Sequence, residues 1–141
     1  MSDEPRPIHL VDRRTPRRVS TPILVVEDDP QLRLMFRLLL EGEGYPVVTA
    51  ADGFEALRSV RVQRPSLVIL DLELPGLDGL AVGNQLRAVY GDGLPIVVVT
   101  ATGKEAEIAA GFKPCAYLHK PFDVDHFLTL VWRCLGGVSG S

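Results

Sequence analysis

Four clusters in this 141-residue chain carry side chains that could do chemistry together. Glu27-Asp28-Asp29 follows one apolar run, Asp71 ends a second, Thr100 ends a third, and Lys120-Pro121 follows a fourth. Brought to one place, three or four carboxylates repel one another, which raises a pKa or requires a cation between them. Hard oxygen donors in a small site favour magnesium, which keeps several waters and needs few carboxylates. A lone lysine supplies a point charge suited to a phosphoryl oxygen, and the Thr100 hydroxyl can donate to another. The set is suited to holding a phosphoryl group on a carboxylate while metal and lysine neutralise its charge. Each part alone is ordinary: an acidic pair before a helix is usually a cap with a solvated neighbour, and a strand-end threonine is usually structural. The weight lies in their joint arrival.

The elements that would bring them together alternate strand and helix. Ile23-Leu24-Val25-Val26, Leu67-Val68-Ile69-Leu70 and Ile96-Val97-Val98-Val99 are short continuous apolar runs, as expected of strands buried on both faces. Pro46 to Ala50 is a weaker strand, and Ala116-Tyr117-Leu118 a fifth. Asp29-Pro30 supplies an N-cap and an N1 proline to a helix carrying Leu32, Met35, Phe36, Leu39 and Leu40, closed by Gly42 and Gly44. Asp52 caps a helix with Ala56, Leu57 and Val60; Asp78 opens one through Leu80, Val82, Leu86 and Val89, stopped by Gly91-Asp92-Gly93. A short helix is expected from about Gly103 to Ala110, and a last one from about Asp123 through Phe127, Leu128, Val131 and Leu135. Such alternation implies a parallel α/β sheet with helices on both faces. The polar clusters fall at the C-terminal ends of its strands, the edge where open parallel sheets bind ligands. Periodicity alone leaves the strand order open.

The stretches Ile23-Leu-Val-Val-Glu-Asp-Asp-Pro30, Leu70-Asp71-Leu-Glu-Leu-Pro-Gly-Leu-Asp-Gly79, Val99-Thr100-Ala101 and Tyr117-Leu-His-Lys120-Pro-Phe122 closely resemble the receiver domains of two-component response regulators. The resemblance covers about residues 22–136 and implies a flavodoxin-like (CheY-like) doubly wound five-stranded sheet of order 2-1-3-4-5. By position it implies Asp71 as phosphoacceptor, with Asp28 as a direct magnesium ligand and Glu27 acting on the metal through water. It places the backbone carbonyl of Glu73 on the metal, and Thr100, Lys120 and Ala101 around the phosphoryl oxygens. Thr100 and Tyr117 match the switch pair, and Lys120-Pro121 a junction that is usually cis. Asp29 reads first as the helix cap. The implied donor is a histidine kinase or histidine phosphotransfer protein. The implied output is the face made by the fourth helix, fifth strand and last helix, open to a homodimer or effector. Trp132, on the flank of the last helix, is a candidate for that interface. Nothing here implies enzyme turnover beyond the chain's own phosphotransfer and dephosphorylation.

Two departures from the family stand out. Gly111-Phe112-Lys113-Pro114 replaces the common small-residue turn before the fifth strand, in a segment slightly shorter than usual. Glu73 puts an acidic side chain beside the acceptor, where the family tunes how long the aspartyl phosphate lasts.

Two other uses of such a sheet fit less well. A flavin carrier needs a Ser/Thr/Gly-rich phosphate loop after the first strand, where this chain has Glu-Asp-Asp. An aspartate-nucleophile phosphatase resembles D-x-D, where this chain has Asp71-Leu72-Glu73. Residues 1–21 form an Arg/Pro-rich arm expected to be flexible, and 137–141 a Gly/Ser tail. The first 22 residues carry a net +2 through Arg6, Arg13, Arg14, Arg17 and Arg18, leaving −5 for the remainder of a chain whose total is −3. Without a helix-turn-helix after residue 135, direct DNA binding is not expected. Cys115 and Cys134 could form one bridge at most and lack metal or redox spacing; Cys134 reads as core or flank, and His119 as a strand-end surface residue. No apolar run is long enough for a membrane span, and the N-terminus lacks a signal-peptide pattern. The expected location is cytoplasmic.

Overall fold

A run such as Ile23-Leu24-Val25-Val26, apolar on both sides of its pleat, is satisfied only inside a sheet covered on both faces. The chain, described by a computed structural model over residues 19–101, 103 and 111–137, places it there. β1 (Ile23–Val26) lies between β2 (Val47–Ala50) and β3 (Leu67–Asp71), followed by β4 (Ile96–Thr100) and β5 (Ala116–His119). All pairings are parallel and the order is β2-β1-β3-β4-β5, the doubly wound flavodoxin-like order. The N-terminal arm as far as residue 18, nearly all of the helix expected over Gly103 to Ala110, and the tail from residue 138 lie outside the described residues.

Alternate strand residues feed two separate cores. Ile23, Val25, Leu67, Ile69, Val97, Val99 and Leu118 face α1 (Pro30–Gly42) and α4 (Val124–Trp132), where Phe36, Leu40, Phe127 and Val131 are fully buried. Leu24, Val26, Val68, Leu70, Ile96 and Val98 face α2 (Gly53–Val62) and α3 (Gly79–Tyr90), against Ala56, Val60, Val82 and Leu86. Each such side chain fully buried is worth about 1.5–3 kcal/mol, so the two interleaved faces fix every strand in register: a one-residue slip would exchange them.

The helices begin where the sequence says. Asp29, Asp52, Asp78 and Asp123 each accept a hydrogen bond from a first-turn amide, of Gln31, Glu55, Ala81 and His126 respectively, each cap contributing about 1 kcal/mol. Spacing overestimated some inward faces. Met35 is 37% and Val89 70% exposed, because each lies at the margin of its helix's apolar stripe. Leu135 packs on the core, but from a widened turn, Arg133–Gly137, that follows α4 and turns out at Gly136 with φ 95°.

The segment entering β5 has its own packing. Phe112 is buried at 3% exposure, its ring lying over Gly83 of α3, where a Cβ would come within 2.4 Å of it. Arg87, one turn further along α3, donates to the carbonyls of Lys113 (2.6 Å), Leu94 (2.6 Å) and Gly91 (2.9 Å). Phe112 therefore replaces the usual small-residue turn with an aromatic plug, and α3 supplies its socket.

Cys115 and Cys134 are disulfide-bonded, with Cα atoms 6.0 Å apart, joining the entry of β5 to the end of α4. This settles the pairing that the sequence left open. Cross-linking residues separated by 19 positions restricts the unfolded chain, so Cys134→Ser is expected to lower unfolding free energy by about 2–3 kcal/mol. Urea titration without reductant checks this, and reductant should bring the wild type to the same midpoint. Among the described residues no helix is long and apolar enough to cross a membrane.

Candidate functional site

The C-terminal ends of β1, β3, β4 and β5 deliver the expected residues to one spot. Glu27 and Asp28 leave β1, Asp71 closes β3, Thr100 closes β4 and Lys120 follows β5. Glu27, Asp71 and Thr100 are the buried polar residues among a strand core otherwise apolar, while Asp28 is exposed at the rim. One carboxylate oxygen from each of Glu27, Asp28 and Asp71 lies within 4.8 Å of the others. Lys120 Nζ stands 3.4 Å from Asp71 Oδ2 and 3.6 Å from Glu27 Oε1.

Local structure holds each group in place. The Glu27 carboxylate accepts the Asp29 amide through Oε2 at 3.1 Å, while its buried Oε1 has no hydrogen-bond partner. Arg33 of α1 reaches back to the carbonyls of Glu27 (2.9 Å) and Asp28 (3.2 Å), tying down the loop that carries them. The sequence offered no signal for that clamp. Gly79 opens α3 directly against the acceptor strand: a Cβ there would meet the Asp71 carbonyl oxygen at 2.5 Å. Only glycine lets that helix start so close. Lys120 precedes a cis bond to Pro121, and it is held by its own amide, which donates to the Thr100 carbonyl at 3.0 Å. Just beyond, Phe122 stacks on Phe36 with ring centres 5.3 Å apart, and Phe36 meets Phe127 at 4.9 Å. That aromatic trio anchors the lysine loop to α1 and α4.

The charges are strongly coupled. Burial first, then the nearby Asp71 carboxylate, raises the Glu27 pKa to about 7 against the lowering effect of the Asp29 amide. Burial pulls Lys120 down, but Asp71 and Glu27 outweigh it and hold its ammonium above the ordinary value. Three carboxylates whose oxygens converge within 4.8 Å form a donor set that a small hard cation fits.

Glu73 is where the sequence told least. Its amide donates to Asp71 Oδ1 at 3.0 Å. Its side chain crosses to β4, where Oε2 accepts the Thr100 hydroxyl at 2.9 Å and Oε1 the Ala101 amide at 3.1 Å. Tyr117 is half-buried beside Val98 and packs on the core under α2 and α3. Asp29 caps α1, Trp132 is half-buried at the end of α4, and His119 is exposed.

A family model described as response regulator receiver domain matches residues 23–131. The chain belongs to the response regulator receiver family. Over 102 residues this receiver is 45% identical to the DNA-binding response regulator MtrA of Mycolicibacterium smegmatis, covering 71% of the chain and 44% of that protein. Over 112 residues it is 45% identical to the response regulator MprA of Mycobacterium ulcerans, covering 78% of the chain and 48% of that protein. The receiver thus spans about half the length of these relatives. Since one of them is named as DNA-binding, they give no support to the expectation that direct DNA binding is absent. Among solved structures, the TrrA response regulator of Thermotoga maritima in complex with Mg(2+)-BeF is similar, with TM-score 0.73 and 33% identity over 81% of this chain and 98% of that one. So is the receiver domain of the sensor histidine kinase PA1611 of Pseudomonas aeruginosa, with a magnesium ion in its active-site cleft (TM-score 0.75, 32% identity, 84% and 99% coverage).

Proposed function

We propose that this receiver accepts a phosphoryl group on Asp71, from a histidine kinase or histidine phosphotransfer protein in the cytoplasm, with magnesium bound. The observation that carries this reading is the Asp71 carboxylate held between a cation and a carboxylate cluster. Lys120 Nζ lies 3.4 Å from one oxygen, and Glu27 and Asp28 oxygens lie within 4.8 Å. Glu27, Asp28 and Asp71, with the Glu73 backbone carbonyl, are the residues that would hold magnesium, Glu27 acting through water. The metal supplies charge neutralisation at the phosphoryl oxygens.

In the transfer, an Asp71 carboxylate oxygen attacks phosphorus and forms a new O–P bond. The P–N bond of the donor phosphohistidine breaks, and its electron pair leaves with the imidazole. The protein's part is positioning and electrostatics, as phosphoryl transfer generally demands. Lys120 offsets the charge on one phosphoryl oxygen, and the Thr100 hydroxyl and Ala101 amide donate to others. The small Ala101 side chain leaves the approach to Asp71 open. Movement of Thr100 toward the phosphoryl group would draw Tyr117 inward and alter the surface around β5 and α4, where Trp132 lies.

Magnesium-dependent labelling by acetyl phosphate tests the reading. Wild type is expected to take label and Asp71→Asn to take none. Label on the Asn variant would move the acceptor elsewhere, and an unlabelled wild type would reduce the domain to a partner-binding module.

A further inference from the structure

The Thr100 hydroxyl and the Ala101 amide are the donors assigned above to the phosphoryl oxygens, and here both are taken. The two oxygens of the Glu73 carboxylate hold them at 2.9 and 3.1 Å. A carboxylate presents two coplanar, negatively charged acceptors, close in spacing to two of the oxygens of a phosphoryl group. The carboxylate also approaches from the correct side. Glu73 lies two residues after Asp71, in the turn pinned to the acceptor by the bond from its own amide to Asp71 Oδ1. Lys120, which faces Asp71, also feels the Glu73 charge. The residue itself is exposed at the mouth of the site, so its side chain can swing into solvent without opening a cavity.

We propose that the Glu73 side chain is an internal stand-in for the phosphoryl group, occupying the Thr100 and Ala101 donors in the unphosphorylated chain and displaced when Asp71 is phosphorylated. The inference rests on the phosphoacceptor reading above and adds a competitor to it. Two anions cannot share one pair of donors, so every phosphorylation event includes the eviction of Glu73. The side chain makes phosphoryl binding weaker than the remaining site alone would give. It also makes the Thr100 hydroxyl, already drawn to an anion, less dependent on phosphorylation for its position. Glu73 acts here as a positioning residue, through Thr100 and Ala101, and not on the reacting atoms.

The test uses beryllium fluoride with magnesium as a phosphoryl mimic, its affinity read by calorimetry on wild type, Glu73→Ala and Glu73→Gln. Removing the competing charge-assisted hydrogen bonds is expected to tighten binding about tenfold or more in Glu73→Ala. Glu73→Gln keeps one acceptor but loses the charge, and should fall between. Initial labelling rates with acetyl phosphate should rise in the same order. A merely structural role in the turn would leave affinity unchanged or weaken it. Wild type binding with Glu73→Ala equal or weaker overturns the inference while the phosphoacceptor reading stands. Absence of both beryllofluoride binding and labelling in wild type overturns that reading, and this inference with it.

Discussion

Phe112→Ala is expected to lower the free energy of unfolding by about 3–5 kcal/mol, the range for truncating a buried phenylalanine. The residue is almost fully buried and belongs to the core beneath α2 and α3, so its removal costs both the transfer of the ring and the cavity it leaves. Urea denaturation with an unchanged m-value measures it. The socket gives a sharper form of the same test. In the wild type a Cβ on Gly83 would collide with the ring at 2.4 Å, so Gly83→Ala should destabilise. In the Phe112→Ala background the collision is gone, and alanine's better helix propensity, about 1 kcal/mol over glycine, should make the same change neutral or stabilising. A reversal of sign across the double-mutant cycle is the expected result. Additive effects would place the Phe112 ring elsewhere.

The second large effect is a pH dependence centred on Glu27. Its pKa is raised to about 7 from an ordinary 4.5, chiefly by burial. Between those values the folded chain keeps a proton that the unfolded chain has released. Stability therefore rises as protons are added and falls as pH increases through the window. In metal-free buffer this group's contribution is complete below about pH 4.5 and is lost as pH rises through about 7. Chemical denaturation at half-unit steps across that range reads the slope, and Glu27→Gln, which cannot ionise, should flatten it. A cation seated among Glu27, Asp28 and Asp71 would offset the repulsion, so the same titration in magnesium should also be flatter. A wild-type profile that is flat or rises across the window would show that Glu27 ionises normally.

Much of the fold could be read from the residues because the physical constraints were local. Uninterrupted apolar tetrapeptides have few stable homes besides the middle of a covered parallel sheet, and aspartates ahead of apolar periods cap helices for stereochemical reasons. The convergence of Glu27, Asp28, Asp71, Thr100 and Lys120 follows from that topology, since parallel strands put their C-terminal ends on one edge. What stayed hidden depends on direction across space. The Glu73 side chain bonds to a residue 27 positions away; its spacing put an acidic group beside the acceptor but could not say which donors it meets. No motif marks Arg33, yet it reaches back from α1 to two carbonyls of the preceding loop. Nothing in the helical spacing marks Gly83, and only the Phe112 ring lying over it gives the reason for a glycine there. Helical spacing placed Met35 and Val89 near apolar stripes but could not say where each stripe ends.

The cysteine bridge has a consequence for how copies of this chain can associate. Small α/β domains sometimes form dimers by exchanging an identical terminal helix between copies, at little cost when a hinge is free. Here the link from Cys115 to Cys134 closes a covalent ring around β5, the Lys120 loop and α4. While that ring is intact, α4 cannot be lent to a neighbour by itself; the edge strand would have to leave its own sheet along with it. Exchange of the last helix alone therefore requires the bridge to be reduced first.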